Sequence, residues 1–531
     1  MPPRKSPTAR HGPFAAPLLR KKGWIIFCVG VGGLFILSIL AMAARAVMNY
    51  HSDDNHFAMG AQLVAEGYMP YVHYPYFQMP YAAYIFGAVL KLDLSAYKYL
   101  TLRLVNLGFC LTALAIVYFI SLEAAKSKVV ALTGVLLLSA SEFWSLAAEQ
   151  LNSYAIANLF ALLSFGCLIF ANQSINKRIF LSSLFLGAAI ASKLYYALLA
   201  PPILVFAMTI SQPATGRAVL RAFALWSAGL AVAFIPVGFI AAVDPVAFVF
   251  GNYGYHIINS EYRELSLSGE GMSLPAKLKF LAQILGKPTY LSIAILGFFM
   301  IPYLRLHFTT RQFEHRALLA AAGCFAFMLV AAMIPRPLWP SYFLAPLPFA
   351  AISLAYVYGV ASKTEEFNAQ RWNLRMISVA AFVASLTVPT NLYHIKKAMS
   401  LDEWSTLSIH QQGRQLHDLV VAQGLEGKMF AFEGLYAIEG GFPFYPQMAG
   451  ANFAYRVGDL MDDRLRVRSH VTSKANLASV LDAAPPAAIL VSGRFDKFNS
   501  EIVRYATTNK YKELETRLPE HRFFVRSNES E

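Results

Sequence analysis

Charge is the first thing this sequence is short of. Asp, Glu, Lys and Arg supply 14% of its 531 residues while 56% are hydrophobic, against roughly 25% charged in an average soluble domain. So little charge excludes a wholly soluble globular protein and points to a membrane domain joined to a modest soluble one. Cysteine is scarce too. Cys28, Cys110, Cys167 and Cys324 all fall inside apolar segments, which excludes a disulfide framework or a cysteine metal-ligand spacing and leaves them as packing residues. Internal repeats, a nucleotide-binding glycine loop and a His-Glu-X-X-His helix are missing as well. The net charge of +14 would on its own suit a nucleic-acid partner, but Leu392 to Glu531 holds 17 basic and 17 acidic residues, which cancel. The whole excess lies in residues 1–391, in the tail and the short loops between apolar spans. That pattern follows the positive-inside rule and argues for no nucleic acid.

What is there, in chain order, is a series of spans. Residues 1–22 carry Arg4, Lys5, Arg10, Arg20, Lys21 and Lys22 and no acid, and Trp24 to Ala44 is uncharged. The pair resembles a signal peptide, with a cleavage-like Ala41-Met42-Ala43, but its apolar part is long, and we read a retained first helix with a cytoplasmic N-terminus. Tyr81 to Leu92 is too short to span. Leu104–Leu122, Val129–Ser141 and Tyr154–Ala171 follow, with Glu142 and Glu149 in a brief outer loop. The 32 residues from Ile179 to Ile210 are too many for one helix across about 30 Å, and Pro201-Pro202 argues against a straight one. Two spans with Lys193 at the outer turn are expected. Ala222–Val243, Thr289–Leu304, Ala317–Ile334, Ser341–Ala361 and Met376–Asn391 complete the set, with a long outer loop from Asp244 to Pro288. Inner loops carry Lys126 and Lys128, Lys177 and Arg178, Arg217 and Arg221, Arg305, Arg311 and Arg316, and Arg371 and Arg375.

The expected fold is therefore a polytopic α-helical membrane protein of about eleven transmembrane helices with a small C-terminal extracytoplasmic α/β domain. Its parts are a cytoplasmic basic tail (1–23), the multi-span domain (24–391) with an outer loop at 45–96, and the exported domain (392–531). In the last, Lys428–Phe432 and Ala487–Ser492 read as buried strands and Phe495–Asn509 as a helix.

The stretch from Ser52 to Tyr84 stands out. Asp53 and Asp54 follow the first span directly, then Phe57, Ala61, Val64 and Ala65 fall on one helical face that Gly67 ends. Beyond it lie Tyr68, Tyr71, Tyr74, Tyr76, Tyr81 and Tyr84 with Pro70, Pro75 and Pro80, a composition that favours extended chain at a membrane surface. Two readings stand side by side: acids serving chemistry beside an interfacial aromatic shelf, or a helix cap beside an ordinary aromatic belt.

The acidic pair, the aromatic Phe57, Gly67, Pro70-Tyr71 and Phe77-Gln78-Met79-Pro80 together resemble the first periplasmic loop of the glycosyltransferase C superfamily. The resemblance is to the branch of protein O-mannosyltransferases, the lipid A aminoarabinose transferase and rhizobial lipopolysaccharide sugar transferases. It covers roughly the first 110 residues well, and more loosely Lys193, PLWPSYFLAPLP and the C-terminal domain. It implies an inverting transfer of a sugar, hexosyl or pentosyl, from a polyprenyl-phosphate donor to a glycan, lipid or protein acceptor at the outer face of the inner membrane. By the same match Asp53 is the general base, Asp54 ranks second, and Glu149, with Glu142 also eligible, is the acid of the next loop. Sugar transfer needs a carboxylate to take the acceptor proton and cations or donors for the departing phosphate. Lys193 and Arg336, at outer helix ends, are candidates for the phosphate, and snorkelling anchors are the alternative. His73, Tyr74, His256 and Arg263 are further substrate-binding candidates. One departure is clear: the branch has a phosphate-meeting lysine before the loop proline, where this chain has Met79. No cofactor is required by the sequence, and a divalent metal ion is possible. A transporter or flippase of lipid-linked saccharides is the rival reading, although such proteins place charges near the bilayer midplane. A non-catalytic envelope assembly factor is a third.

Overall fold

The computed structural model describes residues 17–210, 215–266, 273–309, 312–518 and 520–527, with the backbone alone for 17–28 and Asp496. Arg4, Lys5, Arg10 and Arg311 lie outside the described residues, as do the side chains of Arg20, Lys21, Lys22 and Cys28; the other three cysteines are free thiols.

Helix α1 (Pro17–Met48) leads through four residues into α2 (Asp53–Ala65). Ser52 holds the N-cap position of α2 without a side-chain cap bond, so neither aspartate is the cap; both stand in the first turn, where the helix dipole favours negative charge. The helix stops before Gly67, whose φ of 92° a side chain would resist. Then come α3 (Tyr81–Lys91), α4 (Lys98–Ala125), α5 (Lys128–Ser139), α6 (Glu142–Glu149), α7 (Tyr154–Ile169) and α8 (Ile175–Ser192). Lys193 breaks the next apolar run with extended backbone, a 3-10 turn follows at Leu194–Leu199, and α9 (Ala200–Ile210) begins. Pro201 and Pro202 lie in the first turn of α9, where a missing N–H costs no bond.

The second half contains α10 (Gly216–Val243), α11 (Pro245–Val249), α12 (Tyr255–Ser266), α13 (Leu274–Leu285), α14 (Pro288–Phe299), α15 (Ile301–His307), α16 (Phe313–Met333), α17 (Leu347–Ala361), α18 (Ala369–Ser385) and α19 (Val388–Ala398). Among the described residues five helices are long and apolar enough to cross a membrane, and up to eight if each bent pair, α5 with α6, α13 with α14 and α18 with α19, is one span. An eleven-span count would need α7, α8 and α9 as well. Two expected loops are helical. Residues 142–149 form α6, capped by Ser141, whose hydroxyl accepts the Phe143 N–H, and residues 244–288 hold α11, α12 and α13.

The C-terminal domain starts with α20 (Ser405–Val421) and carries α21 (Gly434–Gly440) and α22 (Ala451–Gly458). Its four-stranded sheet has the order β1 (Met429–Ala431), β2 (Ala488–Ser492), β4 (His521–Val525), β3 (Lys512–Leu514). β1 pairs parallel with β2, and the other two pairings are antiparallel. The strands expected near 428 and 487 and the helix after 495 are present; β3, with three largely exposed residues, has too little pattern to announce itself.

Two cores result. One fills the bundle between α4, α5, α7, α8, α16, α17 and α18. The other joins α2, α3, Tyr71, Tyr74 and Tyr76 to the sheet and α21. Those three tyrosines are fully buried, which corrects the expectation of an aromatic shelf on the membrane surface. The Tyr74 hydroxyl donates to the Gly60 carbonyl (3.0 Å) and that of Tyr71 to the Gln78 carbonyl. Buried rings need such partners; with them, the loop becomes the floor on which the C-terminal domain sits.

Candidate active site around Asp53

The two neighbouring aspartates have opposite surroundings. Asp54 is completely buried and fully engaged. One oxygen accepts the Leu151 N–H (2.8 Å); the other meets Arg103 Nη2 (2.6 Å) and the Tyr99 hydroxyl. Arg103, also completely buried, donates in addition to the Asn49 carbonyl (2.6 Å) and the Tyr99 oxygen (2.6 Å). This cluster ties the exit of α1 and the start of α2 to α4. A buried ion pair holds only with its remaining lone pairs and protons satisfied, and here they nearly are.

Asp53, one residue earlier on the helix, points the other way. Solvent reaches its side chain even though protein atoms enclose it on most sides, so it lies at the floor of a recess. Enclosure and the neighbouring Asp54 push its pKa above the ordinary aspartate value; Arg456, His51 and Lys193 oppose that rise. Tyr154, Tyr255, Tyr342 and Arg263 are also within electrostatic range of its carboxylate.

Lys193 reaches this recess from the α8–α9 break. Its Nζ donates to Gln78 Oε1 (2.8 Å) and stands 4.4 Å from the Tyr154 ring centre. Gln78 immediately precedes Met79, so a lysine from elsewhere in the chain meets the loop one residue before the position where the loop has none of its own. His256 is accessible on α12, and burial of its surroundings together with the Lys193 charge lowers its pKa to about 4, so it is a neutral polar group at pH 7. Burial likewise takes His56 to about 4; its Nδ1 lies 3.2 Å from the Ala449 carbonyl.

Other sequence candidates lie elsewhere. Glu149 is buried at the end of α6, bonded to Asn49 Nδ2 (2.7 Å) and Arg45 Nε (2.9 Å), with His51 at 3.6 Å; it clamps the end of α1. Glu142 is exposed and paired with Lys287 (2.9 Å). His73 is turned outward, its Nδ1 accepting the Met69 N–H (2.8 Å), and Tyr74 is the buried strut described above. Arg336 has an exposed side chain on the turn after α16, a turn that Lys277 pins by donating to the Met333 and Pro335 carbonyls (2.8 and 2.9 Å). Sequence reasoning missed Arg456, Tyr255 and Tyr342, which come to Asp53 from far along the chain. Among the described residues no three His, Cys, Asp or Glu side chains gather as a metal ion requires.

No protein-family model matches the sequence, and no curated protein matches it. Solved structures do. The chain superposes on ArnT from Cupriavidus metallidurans bound to undecaprenyl phosphate with a TM-score of 0.60, covering 96% of this chain and 99% of that one at 13% identity. The apo state of the same protein gives 0.60, with 95% and 98% covered, also at 13% identity. The chain has the glycosyltransferase C fold. An identity of 13% carries the fold and nothing finer, so the chemistry rests on the side chains of this chain. Within that fold, the recess at the start of α2 joins one accessible carboxylate to Lys193, Arg263 and Arg456, a combination suited to removing one proton and holding one anion.

Proposed function

We propose that the protein is an inverting glycosyltransferase that moves a hexosyl or pentosyl group from a polyprenyl-phosphate donor to a hydroxyl of an envelope glycan, lipid or protein, at the outer face of the inner membrane. The observation that carries this reading is the contrast at the start of α2. Asp54 has every oxygen engaged by Arg103, Tyr99 and Leu151, while Asp53 faces a recess with Lys193 and arginines around it. The ArnT fold, seen with undecaprenyl phosphate, supports the donor class.

In this reading the acceptor hydroxyl gives its proton to Asp53 while its oxygen attacks the anomeric carbon. The bond from that carbon to the phosphate oxygen breaks on the opposite face, and its electron pair leaves with the polyprenyl phosphate. The donor carries one negative charge and the leaving phosphate gains a second. Fixed cations therefore hold the departing state more strongly than the ground state, which is the condition for catalysis. The upward shift of the Asp53 pKa, from enclosure and the neighbouring Asp54, makes its carboxylate a stronger base than an ordinary aspartate, the direction that general-base work needs. Were a divalent ion to bind with the donor, Asp53 would hold it together with the donor's phosphate oxygens, because both Asp54 oxygens are engaged. No step is routed through one.

The test uses purified full-length protein in detergent with a polyprenyl-phosphate sugar and membrane extract as acceptor source. Wild type should consume the donor and release polyprenyl phosphate. Asp53→Asn should fold and insert normally but lose about 10²–10⁴ in rate. An Asp53→Asn protein turning over at the wild-type rate would remove the base from the proposal.

A further inference from the structure

Three cations stand near Asp53, and only one of them is engaged with a polar side chain of the loop. Lys193 holds Gln78. The other two are arginines gripped by aromatic rings: Arg263 lies 5.4 Å from the Trp339 ring centre, and Arg456 lies 4.7 Å from that of Phe453 and donates from Nη2 to the Tyr255 hydroxyl (3.0 Å). The Nε atoms of both are buried with no acceptor in reach. Their charges act against each other, and Arg263 is lowered first by burial and then by Arg456. With Asp54 neutralised by Arg103, three positive groups face one carboxylate. One carboxylate does not balance three cations, and two half-buried guanidinium groups near each other favour the arrival of a second anion.

Arg456 differs from the rest in where it comes from. Lys193 and Arg263 belong to the helical part of the chain; Arg456 is on α22 of the C-terminal domain. The segment before it is fixed against the loop at close range. His56 contacts the Ala449 carbonyl, Tyr255 stacks on Phe77 at 4.0 Å, and a Cβ on Gly450 would stand 2.8 Å from the Phe77 ring. Only glycine permits that approach.

Resting on the transferase reading, we propose that Arg456 is a direct ligand of the donor's phosphate, so that the phosphate site is divided between the two parts of the chain and is complete only with the C-terminal domain docked. The domain thereby takes part in the chemistry instead of serving only to gather acceptors. The cation that the loop lacks at Met79 is supplied from Lys193 on one side and Arg456 on the other.

The experiment titrates undecaprenyl phosphate, and separately undecaprenol, into the full-length protein in detergent and measures binding by native mass spectrometry. Arg456→Gln should weaken binding of the phosphate lipid about 10- to 100-fold and leave the alcohol unchanged, while Arg456→Lys should recover part of the loss. Arg456→Gln should also move the acidic limb of the rate profile to higher pH. It removes the strongest cation opposing protonation of Asp53, leaving Asp54, His51, Lys193, Arg263 and the three tyrosines around it. Equal affinity of Arg456→Gln and wild type for the phosphate lipid would overturn the proposal, as would an equal loss for phosphate and alcohol, which marks a packing role. If wild type does not bind undecaprenyl phosphate at all, the transferase reading falls as well; if wild type binds and the variant binds equally, only the role of Arg456 falls.

Discussion

Asp53 and Asp54 share a chemistry and a helix turn, so what separates them is direction alone. Successive helix positions are about 100° apart, enough for one carboxylate to enter the α4 cluster and the other to enter the recess. The variants should therefore fail differently. Asp54→Asn leaves Arg103 buried without its counter-ion, which typically costs about 3–5 kcal/mol. We expect lower membrane abundance and a lower thermal midpoint in detergent, where Asp53→Asn shows neither. A normal midpoint for Asp54→Asn would mean that Arg103 and Tyr99 hold together without it. The cations divide in the same way. Lys193→Ala should raise the donor concentration needed for half-saturation, because its Nζ sits in the recess, while Arg336→Ala, exposed on a turn that Lys277 already pins, should leave donor saturation unchanged. Lys193→Ala with a wild-type donor curve would make that lysine an anchor. The pair and Lys193 were legible in the sequence because adjacent acids after a span and a lone charge in an apolar run are local signals. Arg456 was not. It is one of 17 bases in a balanced domain, and only the fold brings it back across some 400 residues.

At the scale of elements, the loop after α1 and the start of α4 are fixed by two buried acids from the C-terminal domain that carried no sequence signal of their own. Glu433 accepts from Tyr50 (2.7 Å) and contacts His521 (2.6 Å), and next to it Asn55 Oδ1 accepts the Leu435 N–H (3.0 Å). Glu439 receives the Tyr99 N–H at the start of α4 and contacts His410 (2.5 Å). Their titrations run in opposite senses. Burial alone would raise Glu433, but hydrogen bonds with His521 and Tyr50 hold it below the ordinary glutamate value. Its ionisation therefore stabilises the fold above the unfolded pKa, and that contribution is lost as pH falls through the lower folded one. Burial wins at Glu439 and raises it despite Tyr99 and His410. Its contribution is full below the unfolded pKa and is lost as pH rises through the folded one. At pH 7 Glu433→Gln should thus destabilise by about 2 kcal/mol. Glu439→Gln, which can still accept from Tyr99 and donate to His410, should leave the thermal midpoint level or raise it. A drop of equal size in both variants would show that charge matters less here than the shape of the contacts. The tyrosines of the same loop teach a related point. Tyrosine suits a membrane interface and a protein interior equally, so composition could not choose between them; the covering domain decides for the interior.

For the whole molecule, contacts sort the helix ends into two groups. Thr406 bonds to the Val47 carbonyl (3.1 Å), Lys193 to Gln78, Arg468 to Asp244 (3.1 Å) and Ser260 to the Arg336 carbonyl (3.2 Å). These gather the end of α1, the α8–α9 break, the end of α10 and the turn after α16 beside the C-terminal domain. At the other end Ser127 contacts Asn373 (3.2 Å), Arg316 the Thr209 carbonyl (2.6 Å), and Lys363 pairs with Glu314 (2.8 Å). This is the alternation that the sequence implies: the loops of this second group carry the basic excess, and the first group belongs to segments in which acids and bases nearly balance. Basic loops stay in the cytoplasm, so the end bearing the C-terminal domain should face out. Single cysteines placed at Asn49, at Arg336 and at exposed positions of residues 392–531 should react with a membrane-impermeant thiol reagent in intact cells. Cysteines at Lys126 or Lys363 should react only after the membrane is opened. Because the contacts couple all the sites at each end, the result must be collective. Labelling of Lys126 from outside together with protection of the C-terminal domain would invert the whole protein and put Asp53 on the cytoplasmic side. A mixed pattern within one end would instead break the arrangement of helices itself.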